Sequence, residues 1–256
     1  MEKKRNCAVI VPVHEQWPEE REKRSFAHLL EVYRDRPVYL VHPQGVDLAR
    51  YLAVPGAEDC RTIAFASSHY ISRSSYNDLL LSPKFYSAFM GYEYILIHHL
   101  DAWSFADDLD RFMALGVDYI GCARVHAGDK MAGGLSLRRT FSCLSACRSA
   151  ATLDGISLLL KKKYLGLRDI VAIAKRNLAI PIGKQRPYHS EDHFYTFGAP
   201  ILLDGFRAAS AEQALRFAFD DEPERLLDRS GGEMPMGCHA FWKNGNWPFW
   251  KEHIEL

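Results

Sequence analysis

The run CAVIVPV, residues 7–13, restricts the fold of this chain more than any other stretch. It is short, apolar throughout and rich in Val. A half-exposed strand alternates polar and apolar residues, whereas an unbroken apolar run suits a strand covered on both faces, as in a parallel sheet. Parallel strands need crossover segments, and the sequence supplies them. After it, EEREKRSFAHLLEVYRD places Phe26, Leu29, Leu30 and Tyr33 at helical spacing. PVYLVHP reads as a second strand, DLARYLAV as a short helix and CRTIAFA as a third strand. SPKFYSAFMGY has Ser82 as a helix cap before Pro83 at the first helical position. EYILIHH is the fourth strand, FADDLDRFMALG a helix ended by Gly116, and VDYIGC the fifth strand. This alternation predicts an α/β fold over residues 1–125, with a mainly parallel sheet flanked by helices.

Beyond residue 125 the alternation weakens. MAGGLSLRRTFSCL joins a glycine pair, a short strand and a helix start. HSEDHFYTFGAP reads as a helix start with two carboxylates in its first turn, and SAEQALRFAF as a helix capped by Ser210 and Gln213. The tail GCHAFWKNGNWPFWKEH is aromatic and turn-rich. Without repeats or a low-complexity linker, 256 residues read as one domain: residues 1–125 a nucleotide-binding half, 126–256 an acceptor-binding half with a C-terminal flap.

Charge and cysteine content narrow the setting. Lys+Arg and Asp+Glu are both 32, so no overall attraction to a polyanion is implied and no nucleic-acid partner is expected. No apolar run reaches the roughly 18 residues of a membrane span. The N-terminal MEKKRNCAVIVPVHEQW has too short an apolar run for a signal peptide. The six scattered cysteines lack a CxxC pair and read as reduced thiols, which predicts a cytoplasmic protein.

The stretch YEYILIHHLDAWSF asks why a buried strand should run into two imidazoles and a carboxylate. In a parallel sheet, ligands bind beyond the carboxyl ends of strands. His14 after the first strand and His99 and Asp101 after the fourth would then share a rim. Along a strand, His99 and Asp101 would point the same way. Such a pair suits a divalent cation, Mg²⁺ or Mn²⁺, which prefers carboxylate and water and tolerates one imidazole. A plainer reading has Asp101 capping a turn and the histidines satisfying backbone groups.

Seven motifs occur in order: VIVPV, SYNDLLLSPKFY, YEYILIHHLDAW, DYIGC, GGLSLRR, SEDHFY and MGCHAF. Together they resemble a bacterial polysaccharide-cluster family of unknown function that is related to GT-A glycosyltransferases, over roughly residues 7–245. The resemblance implies a GT-A-like, Rossmann-like fold and a transferase using a nucleoside-diphosphate sugar, a UDP-sugar first, with inversion. It also implies a glycan or lipid-linked acceptor. By that similarity Asp101 stands at the last acid of an Asp-x-Asp motif and His99 at the first. His239 becomes a second ligand to the cation or a diphosphate contact, against the alternative of a packed histidine. Asp192 becomes the base and Glu191 an acceptor-binding or orienting residue, although acids also simply favour a helix N-terminus. Pro12, Val13 and His14 would lie near the nucleotide. Gly133 and Gly134 would shape the sugar pocket, with Ala132 where the family usually has Asn. Arg73 and Asn77 offer phosphate or base contacts, and Trp103 is either a lid over the donor or a core residue.

Two other functions fit the same residues. One is a metal-dependent hydrolase with His98, His99, Asp101, Asp192 and His239 as a cage. The other is a non-catalytic sugar-nucleotide or glycan-binding subunit. Finally, residues 161–186 hold eight Lys or Arg and one acid, Asp169, among apolar residues. This is the candidate for peripheral contact with an anionic inner membrane, and a core-packed helix with a solvated basic face is the alternative.

Overall fold

The computed structural model describes residues 6–16, 18–125, 130–165 and 190–256. Its strands are β1 (Cys7–Pro12), β2 (Val38–Pro43), β3 (Arg61–Phe65), β4 (Tyr94–His98), β5 (Ala102–Ser104), β6 (Tyr119–Cys122), β7 (Ala132–Arg139), β8 (Ala218–Phe219) and β9 (Gly237–His239). The main sheet has the order β3-β2-β1-β4-β7-β6. β1 runs parallel to β2, with Val9 opposite Val38, and to β4, with Cys7 opposite Tyr94. Every residue of β1 is buried, as its unbroken apolar run requires.

The crossover helices form where the sequence places them. Glu20–Val32 buries Phe26, Leu29 and Leu30 and starts with a reciprocal cap between Glu19 and Glu22. The Ser82 hydroxyl accepts the Phe85 N–H at the start of Pro83–Ser87, and Ser210 and Gln213 cap Ala211–Phe217. Gly116, at φ +64°, follows Leu109–Ala114 in a left-handed conformation that suits glycine.

Three details differ from the sequence expectation, and each shapes the site. The fourth strand stops at His98, so residues 99–101 form a turn rather than a strand end. The chain then enters a separate small sheet of order β5-β9-β8. The glycine pair lies within β7, an eight-residue strand, instead of a turn before a short one. β7 inserts antiparallel between β4 and β6, with Leu96 and Ile120 both opposite Leu137. A strand from the second half thus completes the sheet of the first, and its amino end reaches the rim where β1 and β4 finish. The helix begun by Glu191–His193 passes into a π-helical turn, Phe194–Gly198.

Among the described residues no single helix is long and apolar enough to cross a membrane, and no disulfide joins two cysteines. The basic segment 161–186 lies mostly outside the described residues, as does His189.

Candidate active site at the rim of the sheet

A cavity of about 570 Å³ opens over the carboxyl ends of β1, β3 and β4. Two pairings in the small sheet build its centre. β5 runs antiparallel to β9 with Ala102 opposite His239, which brings His239 beside Asp101. β8 runs parallel to β9 with Phe219 opposite Cys238, which brings Asp220 up on the other side of the ring. His239 therefore lies between two acids, with Nε2 3.3 Å from Asp101 Oδ1 and Nδ1 2.6 Å from Asp220 Oδ1. His99 Nδ1 is 4.0 Å from the same Asp101 oxygen, and Lys243 Nζ is 2.8 Å from the other, Oδ2.

The charge states follow from this crowding. Burial alone would raise the Asp101 carboxyl, but hydrogen bonding and charge from His239, with His99 and Lys243, outweigh it and hold the acid well below its usual range. Burial would lower His239, yet its two carboxylate partners push it up to about 10. His99 is lowered to about 3, chiefly by burial and then by the charge of His239, so its imidazole is neutral.

His99, Asp101 and His239 each turn one ligand atom inward, all within 4.8 Å of one another. The neutral His99 imidazole, the ionised Asp101 carboxylate and His239, once it has given up its Nε2 proton, form a fitting donor set for a divalent cation. The remote nitrogens are held as well: His239 Nδ1 by Asp220, and His99 Nε2 by the Tyr76 hydroxyl at 3.3 Å. Metal-binding histidines are commonly oriented through their second nitrogen in this way.

On another wall stand Glu191 and Asp192. Arg138, wholly buried in β7, donates from Nη2 to Glu191 Oε2 at 3.0 Å and from Nη1 to the Tyr86 hydroxyl at 3.0 Å. Its guanidinium also faces the rings of Tyr119 and Tyr195. Asp192 is held more loosely, with Lys130 Nζ 3.5 Å from Oδ2 and the His193 N–H donating to Oδ1 at 2.7 Å. The glycine pair sits between the two walls. A Cβ on Gly133 would collide with the Glu191 carboxylate, and one on Gly134 with the His239 ring. Glycine is needed at both positions for close approach.

His14, Arg73, Asn77, His99, Asp101, Gly133, Gly134, Glu191, Asp192 and His239 all line this cavity. Four other expectations are corrected. Trp103 is only 6% exposed in β5, stacked on His28 with ring centroids 3.8 Å apart, and is a core residue rather than a lid. Val13 is fully buried, and Pro12 borders a smaller neighbouring cavity instead. His98 turns into the core, where Nδ1 donates to the His99 carbonyl at 2.9 Å and burial takes its pKa down to about 4. His99 and Asp101 do converge, but through a turn and not through strand alternation.

Sequence reasoning missed Asp220, Lys243, Arg138, Arg124, Tyr70 and Tyr76. Arg124 Nε is 3.1 Å from Asp220 Oδ2, and Tyr70 and Tyr76 pack edge-on against His14. One signal was present: FAFDD, like ILIHHLD, drives an apolar run into charged residues. Arg138 gave none, because an arginine in a strand reads as an exposed one.

A family model described as a protein of unknown function, DUF5672, matches residues 59–239. No curated protein matches the sequence. Among solved structures, the glycosyltransferase GlyE of Streptococcus pneumoniae TIGR4 is similar over 99% of this chain and 61% of that one, with a TM-score of 0.51 and 12% identity. At that identity the likeness shows the fold alone, a GT-A-type α/β architecture, and the chain spans only 61% of that neighbour's length. Core-mannan synthase A of Aspergillus fumigatus, in a Mn/GDP form, covers 82% of this chain and 73% of its own at TM-score 0.49 and 11% identity. Mouse xyloside xylosyltransferase 1 covers 94% and 98% at TM-score 0.47 and 11% identity. Likeness at those last two levels is too loose to transfer a ligand or a reaction.

Proposed function

This chain belongs to the DUF5672 family, and from its fold and the residues of its cavity we propose that it is a glycosyltransferase. It takes a sugar from a nucleoside-diphosphate donor, a UDP-sugar being the first to test, and passes it with inversion to a hydroxyl of a glycan or lipid-linked acceptor. One observation carries the reading: His99, Asp101 and His239, placed so that they could hold a cation, share a single cavity with Lys243 and a carboxylate pair, at the rim of a GT-A-like sheet.

Glycosyl transfer passes through an oxocarbenium-like state, as glycoside hydrolysis does, while negative charge grows on the departing diphosphate. A divalent cation held by His99, Asp101 and His239 would supply positive charge to that leaving group. Lys243, beside Asp101 and half exposed, can turn from that carboxylate to a phosphate oxygen. His14, Tyr70, Tyr76, Arg73 and Asn77 form the wall suited to base, ribose and phosphate. Asp192 takes the proton from the acceptor hydroxyl as the hydroxyl oxygen attacks the anomeric carbon. Glu191 is tied to a buried guanidinium and positions the acceptor rather than exchanging protons.

The geometry favours this reading over a hydrolase cage of five ligands, since His98 faces the core. The setting proposed is bacterial surface-polysaccharide assembly on the cytoplasmic side, with segment 161–186 meeting anionic lipid. Co-sedimentation with anionic vesicles that resists high salt, or fails at low salt, would remove that last element. The test of the function is a thermal-shift panel of nucleoside-diphosphate sugars with and without Mn²⁺, followed by product analysis. Stabilisation by one donor and its turnover are expected. Tight donor binding with no transfer or donor hydrolysis would instead support a sugar-nucleotide-binding subunit.

A further inference from the structure

We propose that Lys130 is a positioning residue for Asp192, holding that carboxylate ionised and aimed into the cavity from the side that substrates do not occupy. The inference rests on the reading of Asp192 as the base, and the experiment below separates the two.

Among the described residues Ser190, Glu191 and Asp192 line the cavity and Lys130 does not. Lys130 stands two residues before β7, next to Met131, which is buried and whose sulfur accepts the Gly121 N–H at 3.3 Å. The lysine is thereby tethered to the sheet. Its Nζ donates to the Ser190 hydroxyl at 3.2 Å and lies 3.5 Å from Asp192 Oδ2. The lysine side chain is 23% exposed and that of Asp192 8%, so salt and water screen the pair poorly.

Asp192 has one oxygen left to work with. Its Oδ1 accepts the His193 N–H at 2.7 Å, and its main-chain carbonyl accepts the Thr196 hydroxyl at 2.7 Å. Oδ2 is the oxygen that can meet an acceptor hydroxyl. At 3.5 Å the ammonium gives Oδ2 a neighbouring charge without a close hydrogen bond, so an incoming proton has no short bond to displace. Glu191 is arranged the other way, with Arg138 Nη2 bonded to Oε2 at 3.0 Å. One cation ties its acid down, and the other leaves its acid free to act.

Two adjacent acids in a buried wall also need the charge. Burial raises the Glu191 carboxyl most; Arg138 opposes it, the charge of Asp192 adds to it, and Lys130 opposes it too. The other titratable groups beside the pair are His193 in the same turn, Tyr119 from β6 and Tyr76 from the helix Arg73–Leu80. Among the described residues, Lys130 is the one Lys or Arg within ion-pair distance of Asp192.

The test follows the Asp192 carboxyl by NMR in full-length protein with isotope-labelled aspartate, its resonance being the one that Asp192→Asn removes, and follows turnover as a function of pH. In Lys130→Met that carboxyl should take up its proton about one pH unit higher than in the wild type, because loss of a neighbouring cation favours the protonated form. The acid limb of the turnover profile should move up with it. Turnover at the optimum should fall about tenfold or more through a misaimed Oδ2, with donor affinity unchanged. Lys130→Arg, which keeps the charge, should restore most of both. An unmoved resonance in Lys130→Met, no advantage of Lys130→Arg over Lys130→Met, or a loss confined to the acceptor KM would overturn the inference, the last by making Lys130 a contact for the acceptor. A moved resonance in a protein that transfers sugar from no donor would sink the transferase reading and keep the hold on Asp192, and turnover with an unmoved resonance would do the reverse.

Discussion

Asp220 holds His239 from behind, its Oδ1 2.6 Å from Nδ1 of the ring, while Asp101 faces the opposite nitrogen. This arrangement makes Asp220 a positioning residue. Asp220→Ala should weaken Mn²⁺ affinity by about 10–100-fold, the usual effect of losing a partner behind a ligating histidine. Asp220→Asn, which can still accept the Nδ1–H, should recover part of it. Calorimetry on both variants checks the order; equal losses would mean that orientation is not the role.

The same ring gives a pH dependence in cation-free protein. The folded pKa of His239 is raised from 6.5 to about 10, with Asp101 and Asp220 outweighing burial. A raised pKa adds stability that is whole below about 6.5 and is lost as pH climbs through about 10. Wild-type Tm should therefore fall across pH 7–10 more steeply than that of His239→Gln. Parallel profiles would show that the ring is not charged between its acids.

Asp101→Asn should lower turnover on the order of 10²–10³-fold through weaker stabilisation of the leaving diphosphate. The amide can still meet Lys243 or His239 through its oxygen, so stability should drop by only about 1–3 kcal/mol. Near-normal turnover would remove Asp101 from the mechanism.

Glu191 and Asp192 are adjacent but should fail differently. Glu191→Gln leaves the buried Arg138 guanidinium without its carboxylate, and the loss should reach about 3–5 kcal/mol in unfolding measurements. Asp192→Asn should be milder in stability, lower turnover by about 10²–10⁴-fold and leave donor affinity unchanged. A collapse of donor binding in Asp192→Asn would overturn its assignment as base.

Gly134→Ala should damage the cation site more than the fold, because its Cβ would meet the His239 ring directly. Gly133→Ala should instead act through Glu191. Each overpacking should destabilise by about 1–3 kcal/mol. Mn²⁺ titration separates them: affinity falls in Gly134→Ala and is retained in Gly133→Ala.

The sequence by itself determined the sheet and the rim. Unbroken apolar runs at β1 and β4, separated by amphipathic, capped helices, leave few architectures open, because such strands must be covered on both faces. The polar residues that end those runs, His14, His99 and Asp101, had to emerge where ligands meet such sheets. Periodicity could not reveal which distant segments close the cavity. That was decided by pairings between short strands far apart in the chain, β5 with β9 and β9 with β8, which carry too few residues to leave a pattern. It was decided as well by β7 entering antiparallel between β4 and β6, which put Gly133 against Glu191 and Gly134 against His239. Trp103 shows the limit from the other side: it lies two residues from Asp101, yet its own strand turns it onto His28 and into the core. Local chemistry fixes what a strand end can offer, and only long-range packing decides which side chains meet there.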